Sequence, residues 1–214
     1  LKVVSVQRGH LNRQRIASAA IALLDETGLD GLSMRKLGAS LGVEAMSLYN
    51  HVRNKADLLD TIHAHLLESM GEELAKSPPT QGWEKAAAGL ARAFLRLLKA
   101  HPNAIPLFAS RSAIAPGSLA LVDDSIGLLL GAGFTPVESM HAFQTLFALT
   151  IGHAVFHYGP RSADSFAKAE DYARHQHLAG LAHPELRPPD DEFEFGLEAV
   201  LAGLRQRLDL RARS

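Results

Sequence analysis

Leu32-Ser33-Met34-Arg35-Lys36-Leu37-Gly38-Ala39-Ser40-Leu41-Gly42-Val43-Glu44-Ala45-Met46-Ser47-Leu48-Tyr49-Asn50-His51-Val52-Arg53-Asn54-Lys55 is the stretch on which the fold turns. Ser33 is placed to cap a short helix whose inward positions are Met34, Leu37 and Leu41. Gly42-Val43 stops that helix after about two turns. A second short helix is expected over 45–51, with Leu48 and Val52 facing inward. Asn54, followed by the acidic Asp57, then marks a new helix start, because the dipole favours negative charge in a first turn. Two short helices joined by a tight glycine turn can set one helix across a phosphate backbone while the other enters the major groove.

On the N-terminal side, Ile16, Ala19, Ala20, Leu23 and Leu24 form one face of an amphipathic helix, with Asn12 as its cap and Gly28 as its stop. On the C-terminal side, Leu58, Leu59, Ile62 and Leu66 carry a helix expected to run to about Lys76. Ser77-Pro78-Pro79-Thr80 breaks the pattern. Further helices are expected at 82–100, 104–110, 117–130, 135–158, 165–179 and 191–210, separated by Pro- and Gly-containing breaks. The 135–158 stretch is apolar nearly all round, so several of its sides must be covered, in part by a second subunit. No strand alternation or internal repeat is evident. The expectation is an all-α chain: an N-terminal helix-turn-helix DNA-binding bundle at 9–56, then a helical ligand-binding and dimerisation domain at 57–214, with a connecting helix at about 55–76.

Composition narrows the function classes. Ala and Leu dominate while aromatic residues make up 6%, which favours helix over sheet. With 0 Cys, no disulfide framework, thiolate metal site or cysteine nucleophile is available. No stretch reaches the roughly 18 apolar residues of a membrane span, and 1–9 has no signal-like apolar core, so a soluble cytoplasmic chain is expected. Net charge is −1, which excludes a globally basic nucleic-acid binder. Residues 1–60 nevertheless hold eight Lys/Arg against six Asp/Glu, a mild basic bias that matters only if the cations share a surface.

The run Ser47-Leu48-Tyr49-Asn50-His51-Val52-Arg53-Asn54-Lys55, with Leu32 to Leu37, Leu41 to Glu44 and Leu58-Leu59-Asp60, resembles the DNA-binding segment of the tetracycline-repressor (TetR) family. Leu130 to Phe134, Thr150-Ile151-Gly152-His153 and Phe193 to Glu198 through Gly203-Leu204 resemble the ligand-binding and dimer region of the tetracycline-repressor subgroup. The resemblance implies a homodimeric regulator, most simply a repressor, on a palindromic double-stranded operator and released by a small molecule. An activator of the same fold remains a rival, as does a helical ligand-binding or hydrolytic protein.

The resemblance also implies roles. Ser33 and Arg35 open the first helix of the motif, and an Arg there can grip guanine O6 and N7 bidentately. Ala45, Met46 and Ser47 face bases, and Ala45 replaces a Gln, so a different operator is expected. Tyr49 and His51 contact phosphates or base edges, Asn50 stands where the family has a bulky aromatic, and Lys55 contacts phosphate beside a helix N-terminus. In the effector domain, Leu107, Leu90 and Ser125 stand where the tetracycline repressor has polar drug contacts, and a further one falls near Gly71, whereas Phe94 is kept. Each polar drug group left unpaired would cost roughly 1–3 kcal/mol, so tetracycline is not the expected inducer. A largely apolar pocket is expected instead from Leu90, Phe94, Leu107, Phe108, Phe143 and Phe147, with Ser125, His141, Gln144 and His153 as polar handles. Phe193, Leu197, Val200, Leu201 and Leu204 form the dimer stripe of this reading, with Gly196 and Gly203 allowing close approach.

Two other patterns carry less. Gly38-Ala39-Ser40-Leu41-Gly42 matches the nucleophile-elbow pattern of hydrolases, but that chemistry needs a strand before the serine and helical spacing runs through it here. His153 and His157 sit one helical turn apart, as metal ligands can, with no nearby carboxylate on their own helix to complete a set, Glu138 lying a turn before His141. No metal, other cofactor or enzymatic activity is therefore expected.

Overall fold

A computed structural model describes residues 10–76, 82–111, 116–160, 174–175, 177 and 189–212. Its helices are α1 (Arg13–Gly31), α2 (Met34–Leu41), α3 (Ala45–Leu48), α4 (Lys55–Ala75), α5 (Trp83–Ala100), α6 (Ile105–Ala109), α7 (Leu119–Gly131), α8 (Pro136–His157) and α9 (Pro189–Ala212). Single 3-10 turns at Pro102–Ala104 and Pro116–Ser118 precede α6 and α7. No strand is present among the described residues. The expected helix at 165–179 lies outside them apart from isolated positions.

The predicted caps are in place. Asn12 accepts from the Arg15 amide at 2.8 Å, Ser33 from Lys36 at 3.3 Å and Asn54 from Asp57 at 2.9 Å. Each satisfies an amide that the first helical turn leaves without a partner. Gly28, with φ of 70°, breaks the helical path where a stop was expected, and a last turn re-forms as far as Gly31. The third helix is shorter than its expected span: after Leu48 the chain continues through turns, with His51 and Val52 amides both donating to the Leu48 carbonyl at 2.9 Å.

Ile16, Ala20, Leu24, Leu37, Leu48, Val52, Leu58 and Ile62 are buried together, so α1, α2, α3 and the first half of α4 share one small core. The helix-turn-helix depends on a missing side chain. A Cβ on Gly38 would lie 2.9 Å from the Val43 carbonyl oxygen and 3.1 Å from the Ala45 amide nitrogen, both backbone atoms. Gly42, at φ 69°, makes the left-handed turn that brings α3 back across this spot. The hydrolase-like pattern is thus accounted for by packing: Gly38 and Gly42 shape the turn, and the Ser40 hydroxyl donates to the Leu37 carbonyl within its own helix.

The second half of α4 carries this buried cluster on into α5, α6, α8 and α9, while Val122 and Leu129 of α7 pack with Phe134, Ala142 and Phe143 in a second one. The end of α8 and the start of α9 come together here, with Ala154, Phe193 and Leu197 buried. This corrects the expected dimer stripe: Phe193, Leu197 and Leu201 are consumed inside the chain's own core, and a Cβ on Gly196 would meet Leu149 at 3.2 Å. The large apolar side chains left outside on these helices are Val137, Val155, Phe156 (61% exposed), Phe195 (68% exposed) and Leu210. The rest of the expected stripe is not consumed in this way: Val200 and Leu204 are half-buried and Gly203 is exposed.

Substituting Gly38→Ala forces a methyl group against two backbone atoms that cannot swing away. We expect a loss of about 1–3 kcal/mol in unfolding free energy, whereas Ser40→Ala changes stability by less than about 1 kcal/mol. Thermal or urea denaturation followed by circular dichroism reads both.

Candidate DNA-binding surface and effector cavity

In the motif, Met46 (72% exposed), Tyr49 (44% exposed), Arg35, Asn50 and Lys55 stand in solvent, while Leu37, Leu48 and Val52 hold the core beneath. Ser33, Ala45, Ser47 and His51 are half-buried. Ser33 is engaged as the α2 cap and Ala45 packs on Gly38, so their contribution to any surface is partly spent on structure. Lys55 donates to the Leu29 carbonyl at 3.3 Å, which steadies its stem and leaves the ammonium exposed. No candidate cation of the motif is packed inward.

Beneath this surface lies a clamp centred on Asp57, only 7% exposed. Its carboxylate takes the Arg13 guanidinium at 2.6 Å, the Arg53 amide at 2.8 Å and the Arg53 Nε at 3.4 Å. Arg13 also donates to the His51 carbonyl at 3.1 Å. The start of α1, the turn after α3 and the start of α4 are therefore joined through one side chain. The Arg53 amide, and then Arg13, hold the Asp57 carboxyl below its ordinary value despite burial. The sequence reading took Asp57 only for a first-turn acid; its partners lie 44 residues upstream and 4 residues upstream.

A cavity opens between α4, α5, α7 and α8, with about 650 Å³ of space not filled by atoms, part of it open to solvent. Of the expected ligand residues, Leu90, Phe94, Ser125, Phe143 and Phe147 line it. Leu107 and Phe108 do not: both are buried in the core behind Phe94, with the Phe108 ring edge-on to Phe94 at 5.3 Å. His141 and Gln144 are exposed on the outer side of α8. His153 is buried elsewhere, against Phe193 and His157. One helix cannot turn positions 141, 144, 143 and 147 all inward, and the core selected Phe143 and Phe147. The Ser125 and Thr150 hydroxyls in the wall donate to the carbonyls of Leu121 (2.6 Å) and Leu146 (2.8 Å). Their protons are therefore committed, and the wall presents almost entirely carbon.

Leu67 and Met70 of α4, absent from the expected set, are also in the wall. From the cavity the aromatic rings continue towards the same helix. Phe147 stacks on Phe94 at 5.2 Å, Phe94 meets Phe108, and Phe108 lies 4.6 Å from the His63 ring on α4. Burial lowers the His63 pKa, with the Arg111 charge acting in the same direction, so the ring is neutral and packs as an aromatic. Close by, the Pro116–Ser118 turn touches α4 backbone to side chain: a Cβ on Gly117 would lie 3.0 Å from the Ala64 Cα.

The family described as "Bacterial regulatory proteins, tetR family" matches residues 16–62, and "Tetracyclin repressor-like, C-terminal domain" matches residues 76–208. The chain belongs to the tetracycline-repressor (TetR) family. It is 30% identical to the class A tetracycline repressor of transposon 1721 from Escherichia coli, over 92% of this chain and 92% of the relative. Among solved structures, a possible TetR family transcriptional regulator of Streptomyces coelicolor A3(2) aligns with a TM-score of 0.73 at 31% identity, covering 91% and 99% of the two chains. The Streptomyces coelicolor TetR family protein ActR, solved with actinorhodin, aligns with a TM-score of 0.76 at 26% identity, covering 94% and 99%. As in that family, the chain is a transcriptional regulator with a DNA-binding head and a helical effector domain. No helix among the described residues is long and apolar enough to cross a membrane.

The Asp57 clamp has a pH signature. A carboxyl whose folded pKa is depressed stabilises the fold fully above its ordinary unfolded value of 3.8 and loses that contribution as pH falls through the depressed folded value. Asp57→Asn is expected to lower the melting temperature by a few degrees at neutral pH. Its gap to the parent protein should close below about pH 4. Melting curves across that range check both parts.

Proposed function

We propose that this TetR-family chain is a repressor that binds a palindromic operator as a homodimer in the cytoplasm and is released by a small, largely apolar effector. The observation that carries the reading is that α4 takes part in both sites. Its first turn is clamped to the helix-turn-helix through Asp57, and its later residues Leu67 and Met70 form cavity wall. In this reading the head is 9–56 and the effector domain 57–214, with α4 shared between them.

In this reading Arg35, Tyr49, Asn50 and Lys55 supply the polar contacts to DNA and Met46 an apolar one to base edges. Ser33, Ala45, Ser47 and His51 sit closer to the core and contribute through short-range contacts. Leu90, Phe94, Ser125, Phe143 and Phe147 hold the effector. An effector filling the cavity presses on Leu67 and Met70 directly, and through Phe94 and Phe108 on His63. A tilt of α4 is passed to the head by Asp57 and alters the spacing of the two recognition elements in the dimer. An effector that prefers the DNA-incompetent state 100-fold shifts the equilibrium by about 2.7 kcal/mol. The exposed Val155, Phe156 and Phe195 supply the apolar part of the surface between subunits.

That the class A relative is a tetracycline repressor does not carry over to the effector, because the wall here is carbon with its hydroxyl protons already committed. The ActR complex with actinorhodin supports a small-molecule effector for a fold of this shape.

A mobility shift on the DNA flanking the gene tests the reading. Arg35→Ala should weaken specific binding by about 1–3 kcal/mol, and Lys55→Ala should reduce the log–log salt slope by about 0.9. Absence of sequence-specific binding at any salt concentration would refute it. Separately, Ser125→Phe fills part of the cavity and should abolish binding of apolar fluorescent probes.

A further inference from the structure

The end of α8 and the start of α9 bring together three groups that the repressor reading does not use. His153 and His157, one turn apart on α8, lie with ring centroids 4.4 Å apart. Glu192, from the first turn of α9, puts its Oε2 3.3 Å from His157 Nε2. One donor atom from each of the three lies within 4.8 Å of the other two. The carboxylate missing from the histidine helix itself is thus supplied by a helix that begins more than thirty residues later in the sequence.

The nitrogens are short of partners. His153 Nε2 and His157 Nε2 are both buried with no hydrogen bond among the described residues. His157 is near enough to Glu192 for an ion pair yet off the line of a hydrogen bond. A buried, unpaired imidazole nitrogen costs free energy, and two in one place call for an acceptor of both lone pairs. The neighbouring charges leave Glu192 as the available anion, because Asp190 is already held by Lys99 at 2.8 Å and by the Tyr158 hydroxyl at 2.9 Å.

We propose that His153, His157 and Glu192 bind a divalent transition-metal cation of the zinc class, which clamps the end of α8 to the start of α9. Two neutral imidazoles and a carboxylate form a three-ligand set that zinc accepts, with water completing the tetrahedron. Magnesium and calcium, which take oxygen ligands, are disfavoured by the two nitrogens. Tetrahedral bonds of about 2.0–2.1 Å put ligand atoms about 3.4 Å apart, close to the present His157–Glu192 separation. Only modest side-chain rotation is needed to bring in the third. The clamp lies beside Phe156 and Phe193, so it fixes the two helices that carry the exposed apolar side chains. None of the three residues lines the effector cavity, whose wall on α8 ends at Thr150, one turn before His153.

The test uses the whole chain, stripped with chelator and dialysed against zinc chloride or magnesium chloride, with bound metal measured by atomic emission. Zinc should bind at one per chain and, at about 100 times its Kd, raise the melting temperature by on the order of 5–10 °C. Magnesium should do neither. His157→Gln and Glu192→Gln, chosen because these positions are less buried than His153, should stay helical by circular dichroism and lose zinc affinity by on the order of 100-fold. Cobalt(II) in place of zinc should give the visible absorption of a tetrahedral centre, absent in His157→Gln. Substoichiometric zinc, or zinc binding unchanged in both variants, would overturn the proposal and leave only an ion pair between His157 and Glu192.

Discussion

Asp57 ties three pieces of chain together, two through its carboxylate and its own helix start through its amide. Arg13 reaches it from the start of α1, the Arg53 amide from the turn leaving the recognition element, and its own amide is capped by Asn54. Buried charge of this kind is tolerable only when each lone pair has a donor. The geometry of all three segments is therefore fixed together, and α4 cannot rotate or slide at its N-terminus without disturbing the turn that carries Tyr49 to His51. A small head with a core of aliphatic side chains alone would resist such a motion weakly, since apolar contacts have little directional preference. The charged clamp supplies direction.

In the proposed mechanism the same helix is the sensor, because the residues it offers to the cavity have no comparable tie. Leu67 and Met70 meet the cavity through carbon, and no described hydrogen bond or ion pair ties them to the wall. Packing there can yield to a ligand, while packing at Asp57 transmits what yields. Between them, Ala64 rests against Gly117 and His63 against Phe108, two contacts without slack, so displacement of the wall reaches the head with little absorbed on the way.

Much of this was legible early. Caps and stops (Asn12, Ser33, Gly42, Asn54) are local devices whose chemistry involves residues two to four positions away, so a linear reading finds them. The exposed residues of the recognition element were legible for the same reason: short helices with a strict inward face leave the rest outside. The cavity was half legible. Period identified α5 and α8 as apolar, but α8 is apolar on too many sides for period to say which side faces what. Hence Phe143 and Phe147 point into the cavity, whereas His141 and Gln144 face solvent and His153 belongs to another cluster. On α9 the error was of the same kind, with the inward stripe Phe193, Leu197, Leu201 read as the face between subunits.

By itself the sequence determined that this chain is all helix, where most helices begin and end, that a two-helix reading element opens it, and which family it joins. Those properties rest on short-range rules of capping, turn geometry and periodicity. Tertiary structure alone decided which of several apolar faces became core, cavity or outer surface, that Arg13 and Arg53 share Asp57, that Gly38 is a contact point, and that Glu192 meets His153 and His157. Each of these is a meeting of residues brought together by packing, or a choice among faces that spacing along the chain leaves equivalent. Such choices are made by the total volume and charge that the whole core must accommodate.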